Sequence, residues 1–183
     1  MSTQETNDEI ATRAEELKIA FLGVSLAMPA LLDPRTPLLD IYCRLYGKRP
    51  DSPVEIGRLD GSFHSADPIG AVLARVAALQ HGGRKDVLTF AGMHGATRIG
   101  DSLLRADLVR NGEPLLQFAR HLRNACAHGN LWHFGHGEPK HPAELRGRRL
   151  DASLHGSKAL YGWVAPGDYL DYLDDLADFL RRP

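Results

Sequence analysis

At 183 residues, 43% hydrophobic and 25% charged, the chain has the length and composition of one domain, 1–183, with a core of its own. A net charge of −1 gives no global signal for nucleic acid, so any such contact has to come from a local patch. Two cysteines exclude a disulfide framework and no apolar run reaches transmembrane length. The polar, acidic N-terminus has no signal-peptide pattern, which makes the cytoplasm the expected compartment.

Thr6-x-x-Glu9 predicts a capping box. Behind it Ile10, Ala14, Leu17, Phe21, Val24, Met28 and Leu31 recur by fours and threes, the packing seam of one long helix. Pro29 lies inside that pattern and Asp33-Pro34 should end it. Pro37 opens a second helix to about Tyr46, with Leu39, Tyr42, Cys43 and Tyr46 on one side. Residues 47–67 are rich in Gly, Pro, Asp and Ser and read mostly as loop. Asp67-Pro68 opens a third helix carrying Ile69, Val72, Leu73, Val76 and Leu79, which His81-Gly82-Gly83 should end. A further helical stretch runs from about Lys85 to Val109, where Gly92, Gly95 and Gly100 either permit close helix approach or interrupt the helix.

Pro114 predicts the first turn of the next helix, with Asn111 or Gly112 near its cap. Leu115, Ala119, Leu122 and Cys126 make its apolar stripe, on which Cys126 is a small buried side chain. At about 100° per residue, Arg120, Asn124 and His128 lie roughly opposite that stripe, and Arg123 falls between the two faces. The polar set therefore faces solvent, a groove or a second subunit. Gly129 is the expected stop.

Residues 129–165 lose the helical period and collect Gly, Pro and His. A small β-hairpin is expected with Arg149–Ser153 and Lys158–Trp163 flanking His155-Gly156. Lys140, Arg146, Arg148 and Arg149, with Trp132 nearby, form either a surface that holds an RNA backbone and stacks a base or a solvated basic loop. His128, His133, His136 and His141 raise the option of a metal site, though His-Glu-x-x-His and Cys-x-x-Cys are both missing. The last helix starts near Asp168, with Tyr169, Tyr172, Leu173, Leu176 and Leu180 inward. Asp168, Asp171, Asp175 and Asp178 line its other side, as a partner surface or a solvated face.

The most informative residues are Arg123-Asn124-x-x-x-His128. Arginine offers a planar fork of donors that fits a phosphate, and histidine exchanges a proton near neutral pH. The same residues also suit a helix C-terminus with no catalysis, through the last carbonyls and the helix dipole. The motif resembles the Arg-x(4–6)-His signature of HEPN domains, in which Asn often follows the Arg. The Gly-rich piece downstream and the final helix from Gly167 to Asp175 are similar to stand-alone defence-type members. The elements along the chain predict an all-α, up-and-down bundle of about five helices with a small irregular or β-hairpin insert before the last one, and the resemblance likewise implies an all-α bundle. It implies a metal-independent endoribonuclease without a cofactor, in a toxin–antitoxin or anti-phage setting. Partners would be RNA, a second copy facing it across the motif helices, and an antitoxin protein.

In that mechanism Arg123 stabilises charge on the phosphate, His128 is base or acid, and Asn124 orients His128 or the phosphate, with Arg120 as a further phosphate contact outside the signature. One motif supplies one histidine, so a two-fold dimer would bring two sets into one cleft. The alternatives are a non-catalytic HEPN-like dimerisation or nucleotide-binding module, and a metal-dependent hydrolase built on the histidine loop.

Overall fold

The computed structural model describes residues 5–33, 35–59, 61–78 and 81–182. Among these the chain forms six α-helices and two small antiparallel hairpins, one of them before the last helix, so the fold is mostly α as the sequence implies. The helices are α1 (Asn7–Leu32), α2 (Leu38–Tyr46), α3 (Ile69–Ala77), α4 (His81–Arg105), α5 (Pro114–Ala127) and α6 (Pro166–Leu180). The strands are β1 (Pro53–Gly57) paired with β2 (Phe63–Pro68), and β3 (Glu144–Leu145) paired with β4 (Arg148–Arg149). No described helix is long and apolar enough to cross a membrane.

The residues fall into two compact units, Met1–Leu22 with Val87–Pro183, and Gly23–Asp86. In the second unit, β1 and β2 occupy the region 47–67 that composition marks as loop. Their turn passes through Gly61 at φ +81°, closed by Arg58 N–H donating to Ser62 O at 2.7 Å. His81-Gly82-Gly83 does not end α3, which stops at Ala77, but opens α4. First-turn N–H groups have no intrahelical acceptor, so glycine costs less there than in a helix interior. The side chain of Leu31, Pro34 and Leu79 lie outside the described residues.

The first unit holds the candidate site. The capping box forms: Thr6 N–H donates to Glu9 Oε2 at 2.8 Å and Glu9 N–H to Thr6 Oγ1 at 3.3 Å. Ile10, Ala14 and Phe21 of the expected seam are buried, with Leu17 partly so. They pack with Ala96, Ile99 and Leu103 of α4, the buried face of α5, and Tyr169, Tyr172, Leu173 and Leu176 of α6. Lys18 pairs with Asp174 at 2.6 Å, and Arg181 with Glu15 and Asp8, on the rim of that packing.

Helix α4 runs unbroken through Gly92, Gly95 and Gly100, and each is a close approach. A Cβ on Gly95 would collide with the Tyr169 hydroxyl, and one on Gly100 with the Cβ and Cγ of Arg123. Beyond α4, Asp107 adopts a left-handed conformation and Leu108–Asn111 form a 3-10 turn. The N-cap of α5 is Glu113, directly after Gly112, with Pro114 in the first turn as expected.

The segment after α5 is where sequence and structure differ most. The hairpin about His155-Gly156 does not form. Ala152–Leu154 is instead a 3-10 turn capped by Asp151, which accepts from Ser153 N–H at 2.8 Å. The hairpin lies earlier, β3 to β4, across Arg146 (φ +48°) and Gly147 (φ +77°), a two-residue turn with both φ positive. The strand-like partner of 155–160 is the distant 130–134. Trp132 N–H donates to Ser157 O at 2.9 Å and Gly156 N–H to Trp132 O at 2.8 Å, with an antiparallel bridge from Leu131 to Lys158. Along 131–134 the side chains alternate as a strand requires: Leu131 is 41% exposed, Trp132 1% and Phe134 7%, with His133 exposed between them.

Candidate active site at the end of helix α5

Helix α5 is wrapped on more sides than its apolar stripe implies. Leu116, Gln117, Phe118 and His121 are buried besides Ala119, Leu122 and Cys126, while Leu115 is only partly so. Burial pushes the Cys126 thiol up to about 12, so it stays protonated and inert. None of the polar set is buried: Arg120 and Asn124 are half-buried and His128 is exposed.

Arg123 lies against α4 over Gly100. Its Nε donates to Asp101 Oδ1 at 2.7 Å and its Nη1 to Asn124 Oδ1 at 3.3 Å. Among the described residues Nη2 has no partner. Asn124 therefore orients Arg123 through its side chain, and meets His128 through its backbone, whose carbonyl accepts the His128 N–H at 3.1 Å. His128 caps α5 at φ −109°, and Gly129 and Asn130 follow with φ +76° and +66°. That double left-handed turn returns the Asn130 N–H to Ala125 O at 2.8 Å.

Asn130 is a residue that sequence reasoning missed. Its Nδ2 donates to Leu160 O at 2.9 Å and its Oδ1 accepts from Leu160 N–H at 2.7 Å, in the buried interior. This clamp, with the 131–158 bridge, brings three imidazoles into a row. The His128 and His133 ring centroids are 5.8 Å apart, and those of His133 and His155 5.2 Å. His155 Nδ1 accepts from Phe134 N–H at 3.1 Å. His155 also lines an open depression of about 520 Å³ with Phe134, Gly135, His136, Gly137, Glu138 and Ala152.

The four histidines of the proposed metal loop are not brought together. His141 packs beside Gly112 before α5 begins, and His128 caps its far end, about 20 Å of helix away. Among the described residues no three His, Cys, Asp or Glu side chains form a group able to hold a cation.

The expected basic surface is largely neutralised from within. Arg146 forks onto Asp175 at 2.7 and 2.9 Å and reaches Asp171 at 2.7 Å. Arg148 pairs with Asp168 at 2.9 Å and lies 4.0 Å over the Trp163 ring. These are three of the four aspartates of the acidic stripe on α6. Arg120 is held by Glu138 at 2.9 Å. The Gly135 N–H and then Arg120 keep the Glu138 carboxyl below the usual carboxylate range. Lys140 and Arg149 are exposed and, among the described residues, make no ion pair. Trp132 cannot stack a base, because it is enclosed by Phe118, Phe134 and Trp163.

Close enough to feel the charges of Arg120 and Glu138 is His121, 2% exposed, its ring 5.3 Å from that of Phe134, with neither nitrogen hydrogen-bonded among the described residues. Burial, then the Arg120 charge, hold its pKa below the ordinary histidine value.

Comparison of the chain with family models, curated proteins and solved structures finds no match.

Proposed function

We propose that this chain is a metal-independent endoribonuclease of the HEPN type. The observation that carries the proposal is the end of α5: an accessible imidazole, His128, follows an arginine whose guanidinium is held by Asp101 and Asn124 with Nη2 left for a phosphate. His128 removes the proton of a ribose 2′-OH, and the alkoxide attacks the adjacent phosphorus. Arg123 stabilises the charge that gathers on the phosphate oxygens. The products are a 2′,3′-cyclic phosphate and a 5′-OH end. Lys140 and Arg149 supply free cations for the RNA backbone. Arg120, Arg146 and Arg148 must exchange carboxylates for phosphates before they contribute. On this reading the chain works in the cytoplasm as a homodimer, as a toxin held by an antitoxin protein or as a component of anti-phage defence.

The purified protein is expected to cleave single-stranded RNA in EDTA and to leave cyclic phosphate ends. His128→Ala and Arg123→Ala should each abolish cleavage with an unchanged circular dichroism spectrum. Cleavage that survives both substitutions removes these residues from the mechanism.

One observation favours a second reading, a non-catalytic HEPN-like module. The Arg123–Asp101 pair ties α5 to α4 and serves the fold as well as it serves a phosphate. That reading predicts no cleavage by the intact protein and a lower melting temperature for Arg123→Ala.

A further inference from the structure

We propose that His133 is the general acid that completes the His128 site within a single chain; the inference rests on the ribonuclease reading. Breaking a phosphodiester needs one group to take the 2′-OH proton and another to give a proton to the leaving 5′-oxygen. A lone motif histidine leaves the second group to a partner chain. The structure places a second imidazole beside the first. His133 is exposed and its ring centroid is 5.8 Å from that of His128.

Its position is built rather than incidental. Trp132 and Phe134 are buried on either side of it, so strand alternation turns His133 outward. The backbone of 130–134 is fixed to 156–160 through Asn130, Trp132 and the bridge from Leu131 to Lys158. Among the described residues the titratable groups on the face of His133 are His128, from the end of α5, His155, from the segment after the 3-10 turn, and Lys158, whose bridge partner Leu131 shares the outward face of 131–134 with His133. His155 is itself held in place, its Nδ1 accepting the Phe134 N–H at 3.1 Å.

The step balances within the chain. Neutral His128 accepts the 2′-OH proton as the 2′-oxygen forms its bond to phosphorus. The bond from phosphorus to the 5′-oxygen breaks, and protonated His133 gives that oxygen its proton. The products are the cyclic phosphate and the free 5′-hydroxyl. Each histidine then exchanges its proton with water.

The test compares kcat/KM from pH 5 to 9 on an RNA oligonucleotide and on the four nucleoside 3′-(4-nitrophenyl phosphates), whose leaving group departs without a proton. His133→Ala is expected to lose roughly 10²–10⁴-fold on RNA, with disappearance of the alkaline limb of the pH profile. It should retain most of its rate on the nitrophenyl esters. His128→Ala should lose both activities. A mixture of the His128→Ala and His133→Ala chains should recover nothing, because each site needs both residues in one chain.

Wild-type rate and profile in His133→Ala overturn the inference and leave the ribonuclease reading standing. Equal loss on both substrates with an unchanged profile makes His133 merely structural, and overturns it as well. Recovered activity in the mixture assigns the acid to a partner chain. An intact protein that cleaves no RNA removes the ribonuclease reading itself, and the assignment of His133 with it.

Discussion

Gly100 has no Cβ, and the root of the Arg123 side chain fills that space. The contact decides where the candidate phosphate group sits, since it draws Arg123 close enough to α4 to meet Asp101 at 2.7 Å. Two effects oppose each other in Gly100→Ala. Alanine favours the helix by about 1 kcal/mol, while overpacking costs about 1–3 kcal/mol. The colliding atoms are the Cβ and Cγ of Arg123, near its backbone, so they cannot swing aside and overpacking should win. We expect a net loss of about 1 kcal/mol in urea unfolding. Unchanged or increased stability would show that α4 and α5 have room to spare. The three glycines of α4 were visible in the sequence, but their role was open between interruption and close approach. Which applies depends on Leu160, Tyr169 and Arg123, and no local pattern names those partners.

At the scale of elements, legibility follows the range of the forces involved. The capping box of α1, Pro114 at the start of α5 and Gly129 at its end depend on neighbours within a few residues, and all three could be read. The strand-like pairing of 130–134 with 156–160 could not, because its partners lie about thirty residues apart and the pairing is not a hairpin. The His128–His133–His155 row depends on that pairing, so the residues were visible and their meeting was not. Asn130 fastens it. Asn130→Ala leaves the Leu160 N–H and carbonyl buried without partners and forces alanine into a left-handed φ of +66°. We expect a loss of about 2–3 kcal/mol. Asn130→Gly loses the same hydrogen bonds but adopts the φ freely, and should be about 1 kcal/mol more stable than the alanine variant. Thermal denaturation of the pair checks both numbers. A loss below about 0.5 kcal/mol in Asn130→Ala would mean that the turn holds without its clamp.

At the scale of the whole molecule, the helical periods pointed to the class of fold but not to how its charges are spent. The basic run after α5 and the acidic stripe on α6 were each legible, each as a surface on its own. In the fold Arg146 and Arg148 pair with Asp168, Asp171 and Asp175, so much of the apparent nucleic-acid patch is internal bookkeeping of charge. Such exposed pairs add little stability. The pH dependence of the whole chain's stability should rest more on one buried group, His121, whose nitrogens lack partners among the described residues and whose neighbours are Phe134, Arg120 and Glu138. Its pKa is held below 6.5 in the folded state by burial and by Arg120, with Glu138 opposing. As pH falls through 6.5, the unfolded chain takes up a proton on this residue and the folded chain does not. The unfolded state then binds more protons, so the free energy of unfolding falls with acid and is fully retained above that range. The slope from one such group cannot exceed about 1.4 kcal/mol per pH unit. The carboxylates with lowered pKa, Glu138 and Asp168 among them, act below about pH 4.5, outside this window. His121→Phe fills the space against Phe134 without a titrating group. Urea unfolding at half-unit steps from pH 7.5 to 5.0 should show wild-type stability declining below 6.5 and a shallower decline in the variant. Equal slopes in the two proteins would show that His121 takes up its proton in the folded chain as easily as in the unfolded one.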